Sequence, residues 1–149
     1  MRLTTRTNIA MRALMYCAAN PGRVVRKSDI AGACNTSENH MAQVINALSH
    51  FGLLKTARGR HGGVMLNLPP EEILVGQVFR KLEAGVPFIE CFAGEKNNCP
   101  LAEFCKLRDV LCGALAEFYK ALDKVSLADL VKGNTELEET LALPTAGIA

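Results

Sequence analysis

The chain has no apolar run near the roughly 18 residues that a membrane-spanning helix needs; its longest apolar stretches are broken by charge or glycine. It also has little histidine, only His40, His50 and His61 in 149 residues. No nucleophile–base pair accompanies them, which argues against an enzyme. The run Gly59–Gly63 lacks the Lys-Ser/Thr that would complete a phosphate-cradling loop. The N-terminus has a basic start and an apolar middle, but Arg12 interrupts it and no small-residue cleavage site follows. A helix of the mature protein and a cytoplasmic location are therefore expected, with no membrane partner. No internal repeat is visible. Acid is scarce in the first half: residues 1–67 hold nine Lys/Arg and two acids, whereas residues 68–149 hold eight and thirteen. The net charge of +2 hides that division. A basic half suits a polyanion, because displaced counterions drive binding to phosphates, although it also describes a plain solvated surface.

What is present fits one domain, or a small domain with an extension: 149 residues, 49% apolar and 21% charged. Ile9, Ala13, Leu14, Cys17 and Ala18 form a helical stripe over residues 4–19, with Thr5 or Thr7 as cap and Asn20-Pro21-Gly22 as stop. Ser28 is expected to cap a short helix, DIAGAC. After a turn at Asn35-Thr36, Ser37 caps ENHMAQVINALSHF, with Met41, Val44, Ile45 and Leu48 on one face and Gly52 at its end. Short helix, turn, amphipathic helix is the helix-turn-helix pattern. Two short runs, Leu53–Ala57 and Val64–Leu68, then flank Arg58-Gly59-Arg60-His61-Gly62-Gly63. Such glycine density permits a hairpin, and a hairpin in this place is a wing.

Pro69-Pro70 opens a fourth helix, EEILVGQVFRKLE, with Ile73, Val78, Phe79 and Leu82 inward. Residues 84–98 have no period. A helix of about 25 residues is expected from Leu101, with Leu101, Phe104, Leu107, Leu111, Leu115, Phe118 and Leu122 at three- and four-residue steps. A small winged domain is too short to cover that stripe, which points to a second copy of the chain. Ser126 caps a last short helix, and the tail from about residue 134 is expected to fray. The fold class is thus mainly α with a small β-hairpin: a winged helix-turn-helix plus a long dimerisation helix. We divide it into residues 1–83, a cysteine-bearing loop 84–100, the helices of 101–133 and a flexible tail 134–149.

Six cysteines without a secretory context are expected to be thiols or ligands. Three follow the spacing Cys91-x7-Cys99-x5-Cys105. Soft thiolates so close suit an iron–sulfur cluster or zinc. The paired C-x2–4-C spacing usual for zinc is absent, which favours a cluster; three ordinary thiols is the plainer alternative. Cys17 and Cys34 fall on apolar faces and read as core residues.

At this point the chain resembles the Rrf-two family of bacterial winged-helix regulators over residues 1 to about 133. The resemblance rests on MRLTTRTNIAMRALMY, SENHMAQVINALSHFGLL, TARGRHGGVMLNLPPEEILVGQVFRKLE and the three cysteines before a long helix. NHM and VGQVFRKLE are similar to the family's NsrR-type, nitric-oxide-sensing branch. The cysteine spacing is similar to its RirA-type, iron-responsive branch. NsrR-type chains commonly carry an aspartate ligand where this chain has Asn8, a poorer ligand. A histidine ligand of another branch is replaced by Arg108. Cys112 is a further thiol on the long helix, readable as a fourth ligand or as a buried residue of the dimer helix.

The resemblance implies a homodimer on a partly palindromic double-stranded DNA operator, one winged helix per half-site. Ser37, Glu38, Asn39 and His40 would face bases or phosphates, with Gln43 one turn on; Asn39 and Gln43 have the amide chemistry that reads adenine. Arg58, Arg60 and His61 would reach a neighbouring groove; Arg2, Arg6 and Arg26 are weaker phosphate candidates, equally readable as plain solvated residues. Cys91, Cys99 and Cys105 would hold an iron–sulfur cluster of the 2Fe-2S or 4Fe-4S type, whose loss in nitric oxide would relieve repression. Iron responsiveness is the runner-up. A metal-free thiol redox switch on the same DNA-binding module is the alternative of another class.

Overall fold

The computed structural model describes residues 3–94 and 97–144. Arg2 and residues 145–149 of the expected tail lie outside them. The described residues form seven helices and one two-stranded hairpin. No helix is long and apolar enough to cross a membrane.

Helix α1 spans Thr5–Ala19. Its cap is Thr4 rather than Thr5 or Thr7: the Thr4 hydroxyl accepts the Thr7 N–H at 3.2 Å. Thr7 is instead fully buried. Helix α2 spans Lys27–Ala33, and Arg26 occupies the cap position with no side-chain hydrogen bond. Ser28 therefore lies inside the helix. Long-range pairing explains the shift: Val25 and Val64 exchange two backbone hydrogen bonds of 2.9 Å, which hold the chain extended just before Arg26. Helix α3 spans Glu38–His50, with the Ser37 hydroxyl accepting the His40 N–H at 3.2 Å. Gly52, at φ 73°, lets the chain reverse directly into the hairpin.

Strands β1 (Leu54–Ala57) and β2 (Gly63–Leu66) pair antiparallel, Leu54 opposite Leu66 and Ala57 opposite Gly63. Gly63 permits the Val25 crossing. A Cβ there would sit 2.2 Å from the Val25 carbonyl oxygen.

The expected fourth helix is split. A 3-10 turn covers Pro70–Glu72 and α4 covers Val75–Glu83. Between them Leu74 forms a bridge with Ser126, and the Leu127 N–H donates to the Ile73 carbonyl at 2.8 Å. These distant partners take the backbone groups that a continuous helix would have used. Leu14, Ile30, Met41, Leu48, Ile73 and Leu127 are fully buried and centre the core.

Between α4 and α5 the described residues, 84–94 and 97–105, form no α-helix or strand; a 3-10 turn lies at Glu90–Phe92. Helix α5 spans Lys106–Leu122, so Leu101 and Phe104 lie in the turns before it and Cys105 stands at its cap rather than within its first turns. No residue of α5 is buried. Helix α6 (Leu127–Val131) starts with a reciprocal capping box between Ser126 and Asp129. The expected frayed tail is ordered in its first part. Helix α7 covers Thr135–Leu141, capped by Asn134. Buried Asn20 fastens it to α1, donating to the Leu141 carbonyl and accepting the Leu143 N–H, both at 2.8 Å.

Candidate nucleic-acid interface and cysteine segment

The two faces of α3 are chemically opposite. Met41, Val44, Ile45 and Leu48 are buried against the core, which turns Ser37, Glu38, Asn39 and Gln43 to solvent. His40 is half-buried. The exposed set presents a hydroxyl, a carboxylate and two amides along one end of the helix. Ser37 uses an oxygen lone pair for capping and keeps its hydroxyl proton for an outside acceptor. Glu38 reaches across to Lys27 on α2 at 3.4 Å. This contact ties the two helices of the motif and was not legible in the spacing. Both partners are exposed, so its contribution is screened and small.

Arg58, Arg60 and His61 are exposed at the hairpin tip. The tip is shaped by Gly59, at φ 103°, whose carbonyl accepts the Gly62 N–H at 2.9 Å. Arg6 and Arg26 are exposed as well. Arg12 is engaged, donating to the Cys34 carbonyl at 3.2 Å.

Cys91 lies in the 3-10 turn, Cys99 just before Pro100, and Cys105 at the start of α5. All three are half-buried free thiols. Among the described residues no three His, Cys, Asp or Glu side chains stand close enough together to hold a metal ion. The structure thus places the three cysteines on one irregular segment without assembling them. Their donor chemistry fits a soft metal centre, and among the described residues between Cys91 and Cys105 no α-helix or strand would have to be broken to gather them. Asn8 is exposed on α1. Cys112 is exposed on α5, so within one chain it is not a buried residue. Cys17 and Cys34 are buried. Burial, and then neighbouring Cys34, push the Cys17 thiol up to about 12, which leaves it protonated and a poor ligand. Burial also raises Cys34, against the opposing charge of Arg12.

Glu83, the last residue of α4, roots the cysteine segment. Its Oε1 accepts the Thr4 N–H at 3.0 Å and the Thr4 hydroxyl at 2.9 Å. Partial burial pushes the carboxyl up, but hydrogen bonds from Thr7 and Thr4 outweigh it and hold the group below its ordinary value. The segment therefore leaves the body from a point bonded to the start of α1, and α1 packs on α3.

A short DNA-sized helix beside a basic hairpin, with a thiol-bearing segment behind it, matches a known family. Residues 3–133 fit the Rrf2 family model, described as an iron-dependent transcriptional regulator. The chain belongs to the Rrf2 family. It is 38% identical over 144 residues to the HTH-type transcriptional regulator NsrR of Bacillus subtilis, covering 96% of this chain and 99% of that one. It is 39% identical over 143 residues to Protein aau3 of Rhizobium meliloti, covering 96% and 93%. The solved structure of T. potens IscR superposes with a TM-score of 0.71 at 25% identity, covering 97% of this chain and 94% of that one. This Rrf2 member is accordingly a winged-helix transcriptional regulator similar to NsrR, and not an enzyme.

Proposed function

We propose that the chain is a homodimeric repressor whose hold on its operator is gated by an iron–sulfur cluster held by Cys91, Cys99 and Cys105, with nitric oxide as the signal. The observation that carries this reading is the placement of three half-buried free thiols on the one segment that joins the DNA-reading body to α5. Likeness to NsrR over nearly the whole chain supports it.

On the DNA side, α3 lies in the major groove. Asn39 and Gln43 read base edges, Ser37 and His40 contact backbone or base, and Glu38 orients the helix start through Lys27. Arg58, Arg60 and His61 reach the adjacent groove or its phosphates. On the sensing side, Cys91, Cys99 and Cys105 would hold a cluster whose iron would supply the affinity for nitric oxide. The protein's own part is mechanical. With the three thiols tied together, the segment from Glu83 to Cys105 is short and ordered, and α5 is held relative to the body. With the thiols released, the segment lengthens and the two winged domains lose their fixed separation. A coupling of about 1–3 kcal/mol is enough to empty or fill an operator several-fold or more.

A second reading is an iron-responsive repressor on the same ligands. The neutral amide of exposed Asn8 favours it, since it is a weak substitute for a carboxylate ligand. Native mass spectrometry of protein purified without oxygen tests the cofactor. Two or four irons per subunit with matching sulfide are expected. Protein free of metal under those conditions would move the reading to a thiol switch.

A further inference from the structure

Helix α5 buries none of its residues, yet its last turn is fastened to α4 by a specific set of contacts. Arg80 on α4 forks its guanidinium onto Asp123, the C-terminal cap of α5. Nη1 donates to Oδ1 and Nη2 to Oδ2, both at 2.6 Å. The same guanidinium lies 4.6 Å from the centre of the Tyr119 ring. One turn before Arg80, Gly76 faces the same carboxylate. A Cβ at Gly76 would lie 2.1 Å from Asp123 Oδ1 and 3.0 Å from the Asp123 nitrogen. The helices therefore meet at a glycine, and its missing side chain leaves room for the fork. Phe79 and Phe118 add a tilted ring contact at 6.4 Å.

The Arg80 and Asp123 side chains are 45% and 34% exposed. An ion pair so open to water contributes little to stability. Its two parallel hydrogen bonds nevertheless fix direction, which a lysine point charge would not do. Such a contact suits the setting of an angle better than the holding of a fold.

The lever is long. Val75, Val78 and Leu82 anchor α4 in the core of the DNA-reading body, while α5 runs about 25 Å from the joint. A tilt of about 10° there moves the far end of α5 by roughly 4 Å, more than the rise of about 3.4 Å per base pair. In a dimer built along α5, that angle sets the distance between the two copies of α3.

We propose that Arg80 and Asp123, seated by Gly76, form a specificity-determining joint that sets the half-site spacing the dimer selects on DNA. This rests on the dimeric reading above. The test is selection from a pool of randomised DNA duplexes by the full-length protein, with dimer mass checked by native mass spectrometry. Wild type is expected to enrich paired half-sites at one spacing. Gly76→Ala favours the helix but displaces the Asp123 carboxylate and crowds its nitrogen, so thermal unfolding is measured beside it and the Arg80 variants test the joint without that clash. Gly76→Ala, Arg80→Ala and Arg80→Lys are expected to enrich the same half-site sequence with a relaxed or shifted spacing. Preference for the wild-type spacing should fall about tenfold, comparable to one lost base contact. The double exchange Arg80→Asp with Asp123→Arg should narrow the spacing again. Folded, dimeric variants that keep the wild-type spacing would overturn the joint. Wild type that enriches only single half-sites would overturn the dimeric reading beneath it.

Discussion

Leu14, Ile30, Met41 and Leu48 in the winged-helix body are fully buried, whereas Leu101 and Phe104 before α5 and Leu107 and Val110 in its first turns are 62–87% exposed. Both sets are apolar, the first drawn from α1, α2 and α3 and the second recurring at three-residue steps. The first finds partners within the chain: α1, α2 and α3 pack on one another, and the hairpin closes one side. The second stays largely open to water among the described residues of the chain. Apolar surface left in water costs about 25 cal/mol per Å² relative to burial, and a contiguous exposed stripe is the kind of surface that marks an interaction site. The body is thus complete as a fold. The described residues from 84 to the first turns of α5 leave these side chains open, and the same stretch carries the three candidate ligands.

The largest effects should fall on the body. Leu14→Ala or Leu48→Ala is expected to cost about 2–5 kcal/mol in chemical denaturation, through lost burial and the cavity left behind. Leu107→Ser or Phe104→Ser should leave that unfolding transition in place and shift sedimentation toward the monomer. Were Leu107→Ser to unfold the body, the division between the two regions would not stand. Removing Arg58 and Arg60 together should weaken duplex binding at all sequences. It should also reduce the slope of log affinity against log salt by about two, because two phosphate contacts disappear. An unchanged slope would take the hairpin tip off the DNA.

Smaller effects test local signals. Ser37→Ala should cost about 1 kcal/mol of stability, since the His40 N–H loses its acceptor. The Asp129 cap gives a pH signature. Hydrogen bonds from the Ser126 N–H and hydroxyl hold the Asp129 carboxyl below its ordinary 3.8. A folded-state value below the unfolded one means that the stabilisation is full above the unfolded value and disappears as pH falls through the folded one. The stability difference between wild type and Asp129→Asn should therefore stay level from about pH 7 to about pH 5 and shrink below about pH 4. A difference that grows on acidification would contradict the cap.

The elements legible in the sequence were those with local signals. Ser37 before a helical stripe, Ser126 three residues before Asp129, Gly52 after α3 and the glycines around Arg60 each act within a few residues, and each lies where the pattern put it. Two of the misplacements share one cause. Ser28 was overruled by Val25 pairing with Val64, and the fourth helix was split by Leu74 and Ile73 pairing with residues beyond 125. Asn20 reads as a helix stop, yet it also anchors Leu141 and Leu143 more than 120 residues away. Contacts of this kind leave no periodicity to read. The same holds at the candidate site. The spacing of Cys91, Cys99 and Cys105 is visible in the chain, whereas the Glu83–Thr4 root and the Arg80–Asp123 joint are long-range pairs between residues of ordinary type.

The most direct measurement is duplex affinity of protein purified without oxygen, before and after nitric oxide, beside the variant with Cys91, Cys99 and Cys105 all changed to alanine. Tight, sequence-specific binding that nitric oxide weakens at least several-fold is expected. The variant should have a weak affinity that nitric oxide leaves unchanged, with its thermal unfolding intact. A triple variant that binds as tightly as wild type and still responds to nitric oxide would contradict the assignment of sensing to this segment.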